Sequence, residues 1–205
     1  MGRIAQDPQV RINEILDVAE RLFVTKGYRD TTMSDIAEAM SMAKGMCYYY
    51  FPSKEAILEA VCAGYTDAFS ESVAVIASLK HVSAADKIGL MISAALNGMA
   101  VRDEQLMQVI YEDRYLQIRY RLMRQVREAI NPAGLKIIAE GCANGEFNVY
   151  DAQLTFDFTL LVVKSLNDVF WEKQVRTIEG PHLRMAEAVV ETALGSAKGT
   201  MKIVL

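Results

Sequence analysis

The chain has 205 residues, 52% of them hydrophobic, with 22 Lys and Arg against 26 Asp and Glu for a formal net charge of −4. That length holds one large domain or two small ones, and that apolar content excludes general disorder. With only 12 glycines and 4 prolines, a collagen-like or loop-dominated chain is excluded as well.

Purely aliphatic runs such as 160–163 are far short of the roughly 18 apolar residues a bilayer span needs. The start, Met1-Gly2-Arg3-Ile4-Ala5-Gln6-Asp7, lacks the apolar stretch of a secretory signal. Gln6 also stands where N-myristoylation wants Ser or Thr. The expectation is a soluble cytoplasmic protein that does not engage membranes. Cys47, Cys62 and Cys142 are odd in number and unrelated in spacing, which fits free thiols and not a disulfide framework.

Apolar residues recur near every 3.6 positions along the whole chain. Ile12, Ile15, Leu16, Ala19, Leu22 and Phe23 form one helix face, with Asp7 as N-cap, Pro8 at the first helical position, and Lys26-Gly27 as the stop. Thr32 begins a second helix, with Asp35 placed to complete a capping box and Ile36, Ala37 and Met40 facing inward. A break at Ser41-Met42-Ala43 leads into a third helix over 44–50, ended by Phe51-Pro52. Ser53 caps a fourth, in which Ile57, Leu58, Val61, Tyr65 and Phe69 repeat at helical spacing. Further helices are predicted over 84–100, 103–114, 117–143, 151–174 and 182–198. Pro132 predicts a kink or break inside the third of these. Gly145-Glu146-Phe147 marks a turn, and Glu179-Gly180-Pro181 a loop. The division expected is a head of short helices over 1–52 and a bundle of longer ones over 53–205, joined without a flexible linker.

Catalytic and metal patterns are missing. There is no Gly-Lys dipeptide for a phosphate loop, no Gly-x-Gly-x-x-Gly, no His-Glu-x-x-His and no nucleophile elbow. The only histidines, His81 and His182, lie about 100 residues apart. No enzyme activity, metal or cofactor is expected.

Residues 33–52 have the layout of a helix-turn-helix, in which the second helix enters the major groove. The run from Ala37 to Leu58, through Lys44-Gly45-Met46-Cys47-Tyr48-Tyr49-Tyr50-Phe51-Pro52, resembles the signature of TetR-family transcriptional repressors. Upstream, 15–23, Lys26-Gly27-Tyr28 and Thr31-Thr32 match that family's first helix and its exit. The resemblance covers about residues 10–60. It implies an all-α fold with an N-terminal three-helix DNA-binding head and a C-terminal helical bundle for effector binding and dimerisation.

By resemblance, Thr32, Lys44 and Lys54 contact DNA phosphates. Tyr48 and Tyr49 correspond to the family's tyrosines, one packing and one touching phosphate or a base. Ala43, Met46 and Tyr50 occupy positions that often face bases, with Gly45 among them. Ser41 stands where the turn usually has Gly, a cost of about 1 kcal/mol if φ is positive there. Ala43 replaces a usual Ser and Cys47 a usual Leu. Met46 has two readings, contact with a thymine methyl or packing, so the base preference is open. Residues 1–55 hold 7 Lys and Arg against 8 Asp and Glu. Phosphate affinity must therefore come from a local face and not from bulk charge.

In the bundle, Tyr65, Phe69, Met91, Met99, Tyr111, Met123 and Phe158 have two readings: core filling, or an adaptable pocket for a bulky apolar effector. Arg114, Arg119, Arg121, Arg124 and Arg127 are either a solvated face or a site for an anionic effector or partner subunit. Asp157 either faces solvent or pairs with a cationic ligand. The resemblance assigns the last two helices to a homodimer interface, with Leu154, Leu161, Ser165, Val169, Met185, Val189 and Thr192 as its residues. The function implied is a repressor released from a palindromic double-stranded operator by a small molecule. Two alternatives stand beside it: a regulator of the same fold acting through a protein partner without DNA contact, and an all-α enzyme.

Overall fold

The computed structural model describes residues 7–102, 104–171 and 180–205, with the side chains at 98–102, 104, 105 and 171 outside the description. The described residues form α-helices throughout. In chain order these are α1 (Pro8–Thr25), α2 (Met33–Ala39), α3 (Lys44–Tyr50), α4 (Lys54–Ser78), α5 (Ala84–Arg102), α6 (Glu104–Ile110), α7 (Leu116–Ala143), α8 (Ala152–Trp171) and α9 (Gly180–Leu194). A 3-10 turn, Asp113–Tyr115, connects α6 to α7.

Local chemistry explains most of the boundaries. Asp7 accepts the Gln9 N–H at 2.9 Å, and Gly27 follows α1 with φ of 91°. Ser53 accepts the Ala56 N–H at 3.2 Å and starts α4. The helix predicted over 103–114 is shorter, ending at Ile110 before the 3-10 turn.

Three expectations are corrected. α7 continues unbroken through Pro132. Pro132 and Glu128, whose carbonyl loses its N–H partner, are both exposed, so water can serve that carbonyl. Buried Ile130, Gly134, Ile137 and Ile138 hold the helix on either side. Gly180-Pro181 opens α9 instead of forming a loop, because a proline in the first turn has no N–H bond to lose. Finally, α9 ends at Leu194, with Gly195 at φ 61°, and not near residue 198.

The segment after α9 folds back as an extended strap. Met201 is buried, and its N–H and that of Gly199 both donate to the Glu191 carboxylate at 3.0 Å. The Val204 N–H donates to Ser93 Oγ at 2.9 Å. A Cβ on Gly89 would lie 2.3 Å from the Lys202 carbonyl oxygen, so only glycine lets the strap cross α5 here.

Two apolar clusters result. One fills the bundle around Ile88, Ile92, Ile137, Phe156 and Val190. The other joins Ile15, Phe23, Ile36 and Cys47 of the head to Ile57 and Leu58 of α4, and to Leu106, Ile110, Ile118 and Leu122 from α6 and α7. Apolar packing thus runs across the expected division at residue 52.

Candidate nucleic-acid interface

The second half of the head is built around two short helices. Thr32 and Asp35 form the capping box at the start of α2: the Asp35 N–H donates to Thr32 Oγ1 at 3.2 Å, and the Thr32 N–H to the Asp35 carboxylate at 2.7 Å. Lys26 adds an ion pair to Asp35 at 2.8 Å. The Lys26 ammonium and the Thr32 donors hold the Asp35 carboxyl down at about 2.

The turn after α2 is a Schellman motif. The Met42 N–H reaches the Ala37 carbonyl and the Ser41 N–H the Glu38 carbonyl, both at 2.9 Å. The αL residue this motif requires is Ser41, at φ 51°. Ala37, 2% exposed, lets α2 and α3 approach.

α3 turns one side chain inward. Cys47 is fully buried, and burial pushes its thiol pKa up, so it acts as a small apolar plug. The opposite face is open: Tyr49 is 78% exposed, Met46 47% and Tyr48 45%. A Cβ on Gly45 would meet nothing within 4 Å. Ala43 is the N-cap, is exposed, and makes no side-chain cap bond. Lys44 reaches over the Tyr48 ring at 5.9 Å, and Tyr50 is half-buried with its ring edge-on to Tyr49 at 5.2 Å. Thr32, Ala43, Lys44, Gly45, Met46, Tyr48 and Tyr49 thus share the outer surface of one motif.

Lys54 differs from that group. Its ammonium donates to the carbonyls of Tyr28 at 2.6 Å, Thr31 at 2.7 Å and Arg29 at 3.2 Å. It also lies 4.3 Å from the Tyr28 ring centroid. All three of its donors are engaged within the head, tying the α1–α2 loop to the start of α4. Burial holds its pKa below the usual lysine range.

The effector set is dispersed. Met91 is buried in the bundle core and Phe69 packs against it, while Tyr65 packs against the other cluster. The Tyr65 hydroxyl donates to Glu20 at 2.5 Å. Tyr111 receives the Arg119 guanidinium over its ring at 4.7 Å, and Met123 is half-buried. The Met99 side chain lies outside the described residues. Phe158 is 59% exposed and lines an apolar groove of about 230 Å³ between α8 and α9, with Leu161, Ser165 and Val189. It belongs with the surface expected to dimerise, because α8 turns it away from the core side occupied by Phe156 and Thr159. Leu154, Leu161, Met185 and Val189 are exposed apolar residues of that surface, with exposed Ser165 and Thr192 beside them. Val169 is half-buried.

The arginine run is largely neutralised. Arg121 grips Glu59 of α4 with bonds of 2.6 and 2.8 Å, and Arg127 grips Asp157 of α8 with bonds of 2.9 and 2.8 Å. Arg114 pairs with Glu112, which also receives Arg29 of the head at 2.7 Å. These pairs tie α7 and the turn before it to α4, α8 and the head. Asp157 is therefore occupied by Arg127. Sequence periodicity had no means of finding the partners of Arg121, Arg127 and Arg29, since each lies 30 or more residues away. Among the described residues, no group of three His, Cys, Asp or Glu is placed to hold a metal ion, and no helix is long and apolar enough to cross a membrane.

Residues 15–61 match the family described as bacterial regulatory proteins, tetR family. That match spans the head from the middle of α1 through α2 and α3 into the start of α4. It is 26% identical over 168 residues to the HTH-type transcriptional repressor KstR2 of Rhodococcus jostii, covering 78% of this chain and 76% of that one. A transcriptional regulator of the TetR/AcrR family from Thermobifida fusca superposes with a TM-score of 0.66 at 23% identity, covering 94% of this chain and all of that one. RolR in complex with resorcinol superposes with a TM-score of 0.68 at 17% identity, covering 94% and 91%. Both share the helical fold. The family match and the repressor relatives support a DNA-binding transcriptional regulator. The family binds DNA and small-molecule ligands.

Proposed function

We propose that this chain is a TetR-type repressor, cytoplasmic and homodimeric, that leaves a palindromic operator when a bulky apolar effector binds its bundle. The observation that carries the DNA part is the outer face of α3, where Met46, Tyr48 and Tyr49 stand in solvent while Cys47 anchors the helix. Side chains of that size held in solvent on one short helix suit a surface that a partner covers. Thr32, Ala43, Lys44, Gly45 and Tyr50 complete the contact set. Lys54 contributes by fixing the α1–α2 loop.

Dimerisation is supported by the α8–α9 surface. Leu154, Phe158, Leu161 and Met185 are each more than half exposed, an apolar patch that water alone covers poorly. A second copy related by a two-fold axis would bury it and set two α3 helices one DNA turn apart, about 34 Å. Leu161→Glu is expected to give monomers in sedimentation velocity, with operator affinity lost alongside.

The effector reading draws on the methionine and aromatic content of the bundle and on the resorcinol complex of RolR. An effector that releases DNA must bind the DNA-free form more tightly, by linkage. Tighter effector binding in the presence of operator refutes induction. The deciding experiment is selection of genomic fragments by the purified protein at low and high salt. Recovery of a palindrome whose affinity falls steeply with salt supports the repressor. A folded dimer that retains no fragment supports the protein-partner alternative.

A further inference from the structure

The outer face of α3 has an unusual chemistry for reading DNA. Its seven residues, Lys44-Gly45-Met46-Cys47-Tyr48-Tyr49-Tyr50, include no Arg, Asn, Gln, Asp or Glu. Those are the side chains that make paired or charge-assisted hydrogen bonds to base edges in the major groove. Ala43, just before the helix, adds only a methyl group. Beside the Lys44 ammonium, what α3 presents at its N-terminal half is apolar: the exposed Ala43 methyl, the Met46 thioether and, at Gly45, a backbone with no side chain. The open space around Gly45 lets this half of the helix approach the groove floor, because no Cβ holds it off.

The major-groove feature that an apolar surface recognises is the C5-methyl group of thymine. No other base carries an apolar group there. Lys44 is the one cation on α3, and it reaches back over the Tyr48 ring. The tyrosine hydroxyls are single donors and acceptors that do not distinguish a base by paired hydrogen bonds.

We infer that Ala43 and Met46 read thymine methyl groups, so that each half-site of the operator is defined at its centre by A·T pairs in a set orientation. This rests on the DNA-binding reading of α3 and names what that helix recognises. Met46 carries the larger share. Its unbranched thioether is long enough to follow a methyl from one base step to the next, and its polarisable sulfur suits an apolar contact.

The test uses the full-length protein and a synthetic duplex of the selected operator. Each thymine is replaced in turn by deoxyuridine, which removes the methyl and leaves the Watson–Crick edge unchanged. Affinity is read by fluorescence anisotropy. One or two positions per half-site are expected to weaken binding about fourfold each, the equivalent of ~0.8 kcal/mol for one methyl. Met46→Ala is expected to bind the thymine operator more weakly and to lose the penalty at its own position, with the salt slope unchanged. As Met46 is exposed, this variant folds as the parent does.

Equal affinity for thymine and deoxyuridine duplexes overturns the inference and leaves the DNA-binding reading intact. So does a penalty confined to 7-deazaguanine replacements, which would make Lys44 the reader through guanine N7. A deoxyuridine penalty that survives unaltered in Met46→Ala removes Met46 from the role. Retention of no DNA overturns the DNA-binding reading and this inference together.

Discussion

Lys54→Met separates two roles that one side chain is able to play. Methionine keeps the apolar stem against the Tyr28 ring and deletes the ammonium. Three carbonyl acceptors, on Tyr28, Arg29 and Thr31, then lose their charged donor. A hydrogen bond to a charged group contributes about 1.5–3 kcal/mol net, and the cation–π contact adds about 0.5–1 kcal/mol. The three bonds share one charge, and Arg29 and its carbonyl are exposed, so the contributions do not simply add. The expected loss is about 2–3 kcal/mol, read from urea unfolding followed by far-UV circular dichroism at fixed protomer concentration. The second readout is the salt dependence of operator binding. If the ammonium serves the loop, the slope of log affinity against log salt stays the same. If it neutralises a phosphate, the slope falls by about 0.9 for each monomer bound. Unchanged stability with a reduced slope refutes the intramolecular assignment.

Ser41 holds φ of 51° in the turn, so Ser41→Gly is expected to raise stability by about 0.5–1 kcal/mol, visible as a higher urea midpoint with unchanged m. Gly134→Ala places a Cβ 2.1 Å from the ring of fully buried Phe156, and overpacking of that kind costs about 1–3 kcal/mol; a lowered Tm checks it. Burial alone would raise the Glu191 pKa, but the N–H groups of Met201, Gly199 and Thr200 outweigh it and hold the folded carboxyl below its ordinary value. The stabilisation this gives is present above the unfolded carboxylate pKa of about 4.3 and lost as pH falls through the lower folded value. Glu191→Gln is therefore expected to lower Tm at pH 7, and the gap to the parent protein should close toward pH 3.

Much of this architecture is legible in the residue order. Asp7-Pro8, Thr32 with Asp35, and Ser53 announce helix starts through capping chemistry, which is local. The exposed set on α3 follows from a single period around Cys47. What is not legible depends on partners distant in sequence. Lys54 reads as a free cation until the loop carbonyls near residue 30 are placed against it. Arg121 and Arg127 read as a basic face until Glu59 and Asp157 are seen opposite. Phe158 reads as one more aromatic in the bundle, because its periodicity does not say which side of α8 meets the core. Pro132 carries a local signal to break α7, and the packing of Ile130, Ile137 and Ile138 overrides it.

The head borrows its core. Leu106 and Ile110 of α6, with Tyr115, Ile118 and Leu122, bury against the same cluster as Ile15 and Phe23. An exchange of heads between family members, cut at the start of α4, would mate each new α1 with a foreign α6. Such hybrids would inherit a mismatched seam where the chain itself shows no boundary. A sensor rewired to a new promoter is better built by moving α6 and the first turns of α7 together with the head, so that the interchangeable part is defined by its packing and not by its position in the sequence.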